Sequence, residues 1–290
     1  MRIATIGMGS NSLRMLIAEV ENNTIVHSQR YRESLRMFAG LDAQNNITSD
    51  MMALAIAKVR HFQALALKEN VQQCFFFATS AVRDAKNQAT FIDKLQESTG
   101  LSLFICSGEL EAELSFFGAM DDADGGMIDI GGGSTEIAIG AQGILQYNHS
   151  LQMGAVRMLR QYPTVDHTLY QACYNCVSSL VSTLPPLPTY WVGVGGAFTA
   201  TACYLQRTPL PLANVHGFSI TQSALQTAIA ELTPMSISER KALPYLPEDR
   251  ADIAVHGMVI MQSVLQVLHI DTIHVSTKGN LEGYCKKMIN

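Results

Sequence analysis

The chain has 290 residues, which is enough for two domains of ordinary size, each with its own hydrophobic core. Hydrophobic residues make up 48% of the chain and charged residues 16%, and no apolar run reaches the ~18 residues that a membrane span needs. The net charge of −5 excludes a protein that holds nucleic acid by a general positive field, so an anionic ligand would need local hydrogen-bond donors, a few arginines or a metal ion.

The first half of the chain alternates strands with helices. It begins directly with a strand and without the features of a secretory signal, and its six cysteines are scattered, so we expect a reduced, cytoplasmic protein. The patterns predict strands over residues 2–6, 13–20, 24–31, 74–78 and 101–106, and helices over 48–69, 79–97 and 107–120. This alternation is typical of an α/β lobe, and the acidic stretch Asp121–Gly126 indicates a crossing into a second one. We therefore predict lobes at residues 1–121 and 122–290.

The second half is mainly helical after its opening strands. The predicted helices cover residues 154–162, 166–183, 197–205, 219–232 and 250–268, and two further strands cover 190–194 and 272–275.

One strand, turn and strand pattern occurs twice and opens both halves. Ile3–Arg30 carries the turn Gly9-Ser10-Asn11-Ser12, and Met127–Leu151 carries Gly131-Gly132-Gly133-Ser134 at the same place. Duplicated lobes would face these turns across a cleft, where the backbone N–H groups of each could hold a phosphate. The alternative interpretation is a pair of ordinary hairpin turns, which glycine and serine often form.

Asp129 is the first candidate metal ligand. The strand that ends at Ile130 brings it to the second turn, and Glu136 follows on the next strand. A carboxylate in this position can hold a hydrated divalent cation against a phosphate bound by the turn, although an aspartate that bonds only to turn N–H groups would give the same pattern. The equivalent position in the first copy is Gly7, which predicts one oxygen fewer around a metal.

Two arginines are candidates for binding the anion. Arg83 lies one turn into the helix predicted to begin at Thr79 or Ser80, where free N–H groups would favour an anion, but it could also be a surface arginine beside Asp84. Arg14 follows the first turn on a strand and could face either the cleft or solvent.

Three glutamates alternate in the first turn of the helix that Ser107 begins: Glu109, Glu111 and Glu113. Residues two apart on a helix point about 200° away from each other, so at most one of the three is expected to enter the cleft. Favourable interaction with the helix dipole would explain all three equally well. A further glycine turn ends at Gly195 and Gly196, between a strand and a helix, which is a weak signal for phosphate binding.

These motifs together resemble the exopolyphosphatase / guanosine pentaphosphate phosphohydrolase family. The matching segments lie in order along nearly the whole chain: 9–12, 78–87, 107–112, 128–136, 153–157, 193–196 and 249–252. The resemblance implies two ribonuclease-H-like lobes of the actin-like and sugar-kinase-like kind with a cleft between them. It also implies removal of the terminal phosphate from polyphosphate or guanosine pentaphosphate with Mg²⁺ (or Mn²⁺).

The resemblance assigns roles to individual residues. It implies that Glu111 is the general base that takes a proton from the attacking water. It places Arg83, Asp129 and the turns Gly9–Ser12 and Gly131–Ser134 at phosphate and metal positions.

Four positions depart from the family pattern. Gly7 stands for an aspartate, Leu110 for a glutamate, Glu113 for an arginine and Leu281 for an arginine. Each departure lowers either metal affinity or the positive charge near the anion. Longer members also continue into helical domains that extend a polyphosphate channel, so we expect a short polyphosphate or a nucleotide as substrate here.

Three functions remain open at this point. The first is a metal-dependent phosphoanhydride hydrolase, and the second is a binding or regulatory protein that keeps the cleft without turnover. The third is a kinase of the same fold class. No nucleic-acid or membrane partner is expected, and a homodimer is predicted by analogy alone.

Overall fold

The computed structural model describes residues 1–121, 123–209 and 215–289, and the strands within them form two mixed sheets. The first sheet has the order β3-β2-β1-β4-β5, with β1–β3 antiparallel and β4 and β5 parallel to β1. The second has the order β10-β11-β9-β6-β7-β8, which repeats the first arrangement and adds β10 at its edge. The strands are β1 Arg2–Met8, β2 Ser12–Glu21, β3 Thr24–Ser34, β4 Gln73–Ala78, β5 Leu103–Ile105, β6 Gly125–Ile130, β7 Thr135–Ala141, β8 Ile144–Leu151, β9 Trp191–Val194, β10 Ser219–Thr221 and β11 Thr272–Val275.

Helices cover the two sheets and connect them. They are α1 Ser49–Lys68, α2 Ser80–Arg83, α3 Gln88–Thr99, α4 Gly108–Ala119, α5 Ala155–Gln161, α6 His167–Ser178, α7 Gly196–Gln206, α8 Gln222–Leu232, α9 Ile237–Lys241, α10 Ala254–Val267 and α11 Asn280–Ile289. The predicted fold class, two α/β lobes that begin with the same three-stranded meander, is confirmed. No helix in the described part of the chain combines the length and apolarity needed to cross a bilayer.

Several predicted helices have different bounds. The single helix expected over residues 79–97 is wrong, because α2 and α3 are separated at Asp84–Asn87. The side chain of Asn87 bonds to both backbone groups of Ile47, and these tertiary bonds replace continued helix. The helix expected from Ser219 starts instead with β10, since Ser219 pairs with His274 of β11.

The helices expected over residues 166–183 and 250–268 are shorter in the structure. The first ends at Ser178 and is followed by a 3-10 turn at Val181–Thr183. Arg250 lies in the 3-10 turn Glu248–Arg250, four residues before α10 begins at Ala254.

The C-terminal helix α11, which the sequence patterns did not predict, lies against the first sheet and crosses α4. A Cβ on Gly118 would lie 1.9 Å from the carbonyl oxygen of Gly279, and one on Gly283 would lie 1.9 Å from that of Leu114. Glycine is therefore required at this crossing, because the atoms in the way belong to the backbone. Leu281 and Tyr284 pack with Phe77 in a core that α11 shares with the first lobe.

The predicted division between residues 121 and 122 separates the two sheets, although Asp122 lies outside the described residues. The lobe boundaries themselves stay a prediction, and α11 shows that the end of the chain contributes to the core of the first lobe.

Candidate active site

The two repeated turns touch each other at the bottom of a cleft between the lobes. Gly9 N donates to Ser12 O and Gly131 N donates to Ser134 O, each at 3.0 Å, so the two turns close in the same way. A Cβ on Gly132 would lie 2.9 Å from Ser10 Cβ, and one on Gly133 would lie 2.9 Å from Ser10 Oγ. The turns therefore approach so closely that only glycine fits at these two positions.

Most of the predicted site residues line this cleft. They are Gly9, Ser10, Asn11, Ser12, Arg14, Glu111, Asp129, Gly131, Gly132, Gly133, Ser134, Gly195 and Gly196. Arg83 and Glu136 lie behind the lining, where each is buried against residues that do reach the cleft. Thr79, Ser80, Arg250 and Asn280 also line the cleft, and none of them was among the predicted site residues.

Glu111 is the glutamate that enters the cleft. Ser107 begins α4, its side chain accepting a hydrogen bond from Leu110 N, and this fixes the first turn of the helix. Glu111 is only 7% exposed, whereas Glu109 is exposed and Glu113 pairs at the surface with Lys287. The expectation that one of the three enters the cleft is confirmed.

The environment of Glu111 raises its pKa to about 7. Burial is the main cause and the nearby Asp129 charge adds to it, while Arg83 and Arg14 act in the opposite direction. A carboxyl group with a pKa near neutrality can take up a proton from water more readily than an ordinary surface glutamate.

Arg83 does not occupy the helix N-terminal anion site that the sequence suggested. Helix α2 has only four residues and no side-chain cap, and Arg83 lies in its last turn. Its Nη1 donates to Glu111 Oε2 at 3.2 Å and to the carbonyl oxygen of Cys106 at 3.0 Å. Arg83 therefore orients the Glu111 carboxylate.

Asp129 and Glu136 face each other on β6 and β7. Ser115 Oγ donates to Asp129 Oδ2 and Ser150 Oγ donates to Glu136 Oε1, each at 2.7 Å. Burial raises the pKa of both carboxyl groups, and the charges of Glu111 and Asp129 raise that of Glu136 further.

These carboxylates fit a cation that takes its other ligands from substrate and water. Within residues 1–121, 123–209 and 215–289, no group of three or more His, Cys, Asp or Glu side chains could hold a metal by itself. Mg²⁺ is usually bound through one or two carboxylates, with phosphate oxygens and waters completing its shell. Because Glu111 and Asp129 both line the cleft and repel each other electrostatically, a divalent cation near Asp129 would relieve that repulsion.

Several hydrogen-bond donors around the cleft are buried without a partner among the described residues. They are Asn11 Nδ2, Arg14 Nε and Arg83 Nη2. Buried donors in folded proteins nearly always have a partner, so three together indicate a missing acceptor. Each of the three is ready to bind an anion.

Arg250 is a site residue that the sequence patterns did not single out beyond its motif. Its guanidinium lies on Gly196, where a Cβ would be only 1.7 Å from Nη1. Burial lowers the pKa of Arg250 to about 10, and the nearby positive charges of Arg32 and Arg14 also lower it. An anion in the cleft would offset this unfavourable burial of charge.

Arg157 ties the second turn to the first lobe. Its Nε donates to the carbonyl oxygen of Gly133 at 2.6 Å, and its Nη2 pairs with Asp84 Oδ2 at 2.5 Å. The guanidinium also lies over the ring of Phe38, 5.0 Å from its centroid. The glycine turn is thus held against the opposite lobe by one side chain.

Gly7 does not leave an open metal position. It is absent from the cleft lining, and a Cβ there would lie 3.0 Å from Phe77 Cζ and 3.1 Å from Leu281 Cδ2. The space that an aspartate would need is therefore filled by apolar side chains. The two departures from the family pattern at residues 7 and 281 are in direct contact.

Comparisons with known proteins agree with this architecture. The chain is 26% identical to exopolyphosphatase 2 of Mycobacterium tuberculosis, with 97% of each chain covered. It is 27% identical to the guanosine-5′-triphosphate,3′-diphosphate pyrophosphatase of Aliivibrio fischeri, covering 99% of this chain and 59% of that protein. A crystal structure of an exopolyphosphatase from Cytophaga hutchinsonii matches the fold with a TM-score of 0.88 at 24% identity, covering 100% of this chain and 98% of that one.

The sequence also matches a family description over nearly its whole length. The match covers residues 16–290, which include the second turn, Arg83, Glu111 and Asp129. The chain belongs to the Ppx/GppA phosphatase family.

Proposed function

We propose that this protein hydrolyses the terminal phosphoanhydride bond of a short inorganic polyphosphate or of guanosine pentaphosphate. The observation that carries the proposal is the position of Glu111, buried in the cleft beside two glycine turns and several unpartnered donors. The named activities of the relatives, an exopolyphosphatase and a guanosine pentaphosphate pyrophosphatase, support this class of substrate.

The residues of the chain divide the work of phosphoryl transfer. The two turns and Arg14 bind the phosphate oxygens and fix the terminal phosphoryl group. Glu111 accepts a proton from the water that attacks phosphorus, and Arg83 holds the carboxylate in place through its 3.2 Å hydrogen bond. Arg250, on the other side of the cleft, stabilises negative charge on the remaining chain.

We propose Asp129 as the protein ligand of Mg²⁺ or Mn²⁺, with Glu136 contributing its charge from behind. A divalent cation there would neutralise charge on the phosphate oxygens during transfer. The predicted homodimer and cytoplasmic location stay predictions, and the proposed chemistry requires neither.

A binding protein without turnover is the second candidate, and the apolar contact between Gly7 and Leu281 is the observation that favours it. Such a protein would bind the same phosphate compounds in the cleft and release no phosphate. The same assay separates the two candidates.

The assay measures phosphate release from tripolyphosphate and from guanosine pentaphosphate, with Mg²⁺, with Mn²⁺ and with excess chelator. We expect release with metal and a loss of more than about 100-fold in the chelated sample or in an Asp129→Asn variant, because a bound cation contributes several kcal/mol to the transition state. A Glu109→Gln variant is the matched control on an exposed carboxylate of α4 and should behave as the parent. Tight binding of either compound without release under any metal would favour the second candidate.

A further inference from the structure

A second chamber opens from the catalytic cleft toward the edge strand β3. The two cavities share Arg14, Gly195, Gly196, Arg250 and Asn280, so they are continuous. The second has a cavity volume of about 140 Å³, against about 60 Å³ for the cleft. A substrate longer than the group being cleaved would therefore have space to continue here.

The charge of this chamber is opposite to that of the whole protein. Five cationic side chains and one carboxylate line it, whereas the chain as a whole has a net charge of −5. The cations are Arg14, Arg30, Arg32, Arg250 and Lys278, and the carboxylate is Glu282. A local positive surface of this kind in an acidic protein indicates an anionic ligand.

Two of these arginines are held by carboxylates at the rim. Arg30 Nη2 pairs with Glu282 Oε1 at 2.6 Å, and Arg32 pairs with Asp249. Glu282 is almost fully buried and also accepts a hydrogen bond from Gly279 N, so its position is fixed. Asp249 is attached more loosely, with its side chain 25% exposed.

The inner arginines lack such partners. Within the described ranges Arg250 and Arg14 form no ion pair, and Arg14 Nε is buried without a hydrogen-bond acceptor. Arg14 Nη2 donates only to the side-chain oxygen of Asn280, at 3.2 Å. The arrangement thus runs from unpaired arginines next to the cleft to paired arginines at the rim.

We propose that the second chamber binds the phosphate groups of the substrate that lie beyond the bond being cleaved, and that Asp249 competes with these phosphates for Arg32. This inference rests on the proposed function, since it extends the same substrate out of the cleft. The ligand chemistry is a phosphate oxyanion, from either an inorganic chain or a nucleoside polyphosphate. A distal phosphate displaces the Asp249 carboxylate and takes its place on the guanidinium.

The test compares the affinities of three ligands by calorimetry without metal, so that no turnover occurs. The ligands are tripolyphosphate, a longer inorganic polyphosphate of defined length and guanosine pentaphosphate. We expect an Arg32→Met variant to bind the longer chain about tenfold more weakly while its affinity for tripolyphosphate stays unchanged, because a charge-assisted hydrogen bond is lost only at the distal position. An Asp249→Asn variant should bind the longer chain more tightly than the parent does.

Arg60→Met is the matched control, since it removes the same charge from α1, away from both cavities. Its affinities for all three ligands should equal those of the parent. Loss of affinity for guanosine pentaphosphate alone, or for the long chain alone, in Arg32→Met would identify the source of the distal phosphate. The proposal is overturned if Arg32→Met weakens tripolyphosphate and the longer chain equally, or weakens neither.

These outcomes are separate from those of the proposed function. A protein that releases no phosphate could still show the chain-length effect on binding, and a hydrolase could lack it. Parallel measurement of phosphate release by the parent therefore assigns a failure to one proposal or the other.

Discussion

A Glu111→Gln variant is expected to lose at least about 100-fold in kcat, since general-base catalysis contributes about 10²–10⁴-fold and an amide cannot take up the proton. Substrate binding should be retained or improved, because the substitution removes a negative charge from a cleft that receives an anion. Steady-state kinetics of phosphate release measure both effects, as a fall in kcat without a rise in KM.

The fold of this variant should remain intact. The glutamine side chain keeps an acceptor for Arg83 Nη1, and the substitution removes a carboxylate whose burial raises its pKa to about 7. Since that raised pKa means that ionised Glu111 is disfavoured in the folded state above pH 7, we expect the variant's melting temperature at pH 8 to stay close to the parent's. A variant that keeps the parent's kcat would show that Glu111 is not the base.

A Gly7→Asp variant is expected to be less stable by about 3–5 kcal/mol and no more active than the parent. The introduced carboxylate would be buried against Phe77 and Leu281, with no counter-charge supplied by either. Chemical denaturation measures the loss in the free energy of unfolding, and the phosphate-release assay measures the activity.

Two further variants separate the causes. Gly7→Ala adds the same Cβ without the charge and should cost only about 1 kcal/mol, because Leu281 and Phe77 can give way slightly. The double variant Gly7→Asp/Leu281→Arg supplies a counter-charge at the contact and should recover much of the stability lost by Gly7→Asp alone. If Gly7→Asp were as stable as the parent and markedly faster, the position would be an open ligand position and our interpretation of the apolar contact would be wrong.

Local sequence patterns predicted the parts of the molecule that depend on local physics. The repeated turns were recognisable because the glycine and serine positions recur between strands of the same length. The entry of Glu111 into the cleft followed from the Ser107 cap and the helical period, which leave Glu109 and Glu113 on other faces.

Contacts between distant parts of the chain could not be predicted in this way. Arg83 bonds to Glu111 across 28 residues, and nothing in either segment alone indicates the pairing. Helix α11 depends on glycines that fit against α4, and Gly7 meets Leu281 only because α11 returns to the first sheet. The break between α2 and α3 likewise results from the hydrogen bonds between Asn87 and Ile47.

The central claim is that the turns Gly9–Ser12 and Gly131–Ser134 bind one phosphate group between them. A crystal structure of the Glu111→Gln variant soaked with tripolyphosphate tests it most directly. We predict a phosphate group within hydrogen-bond distance of backbone N–H groups from both turns. Well-defined tripolyphosphate bound elsewhere, with both turns unchanged and in contact only with water, would contradict the claim.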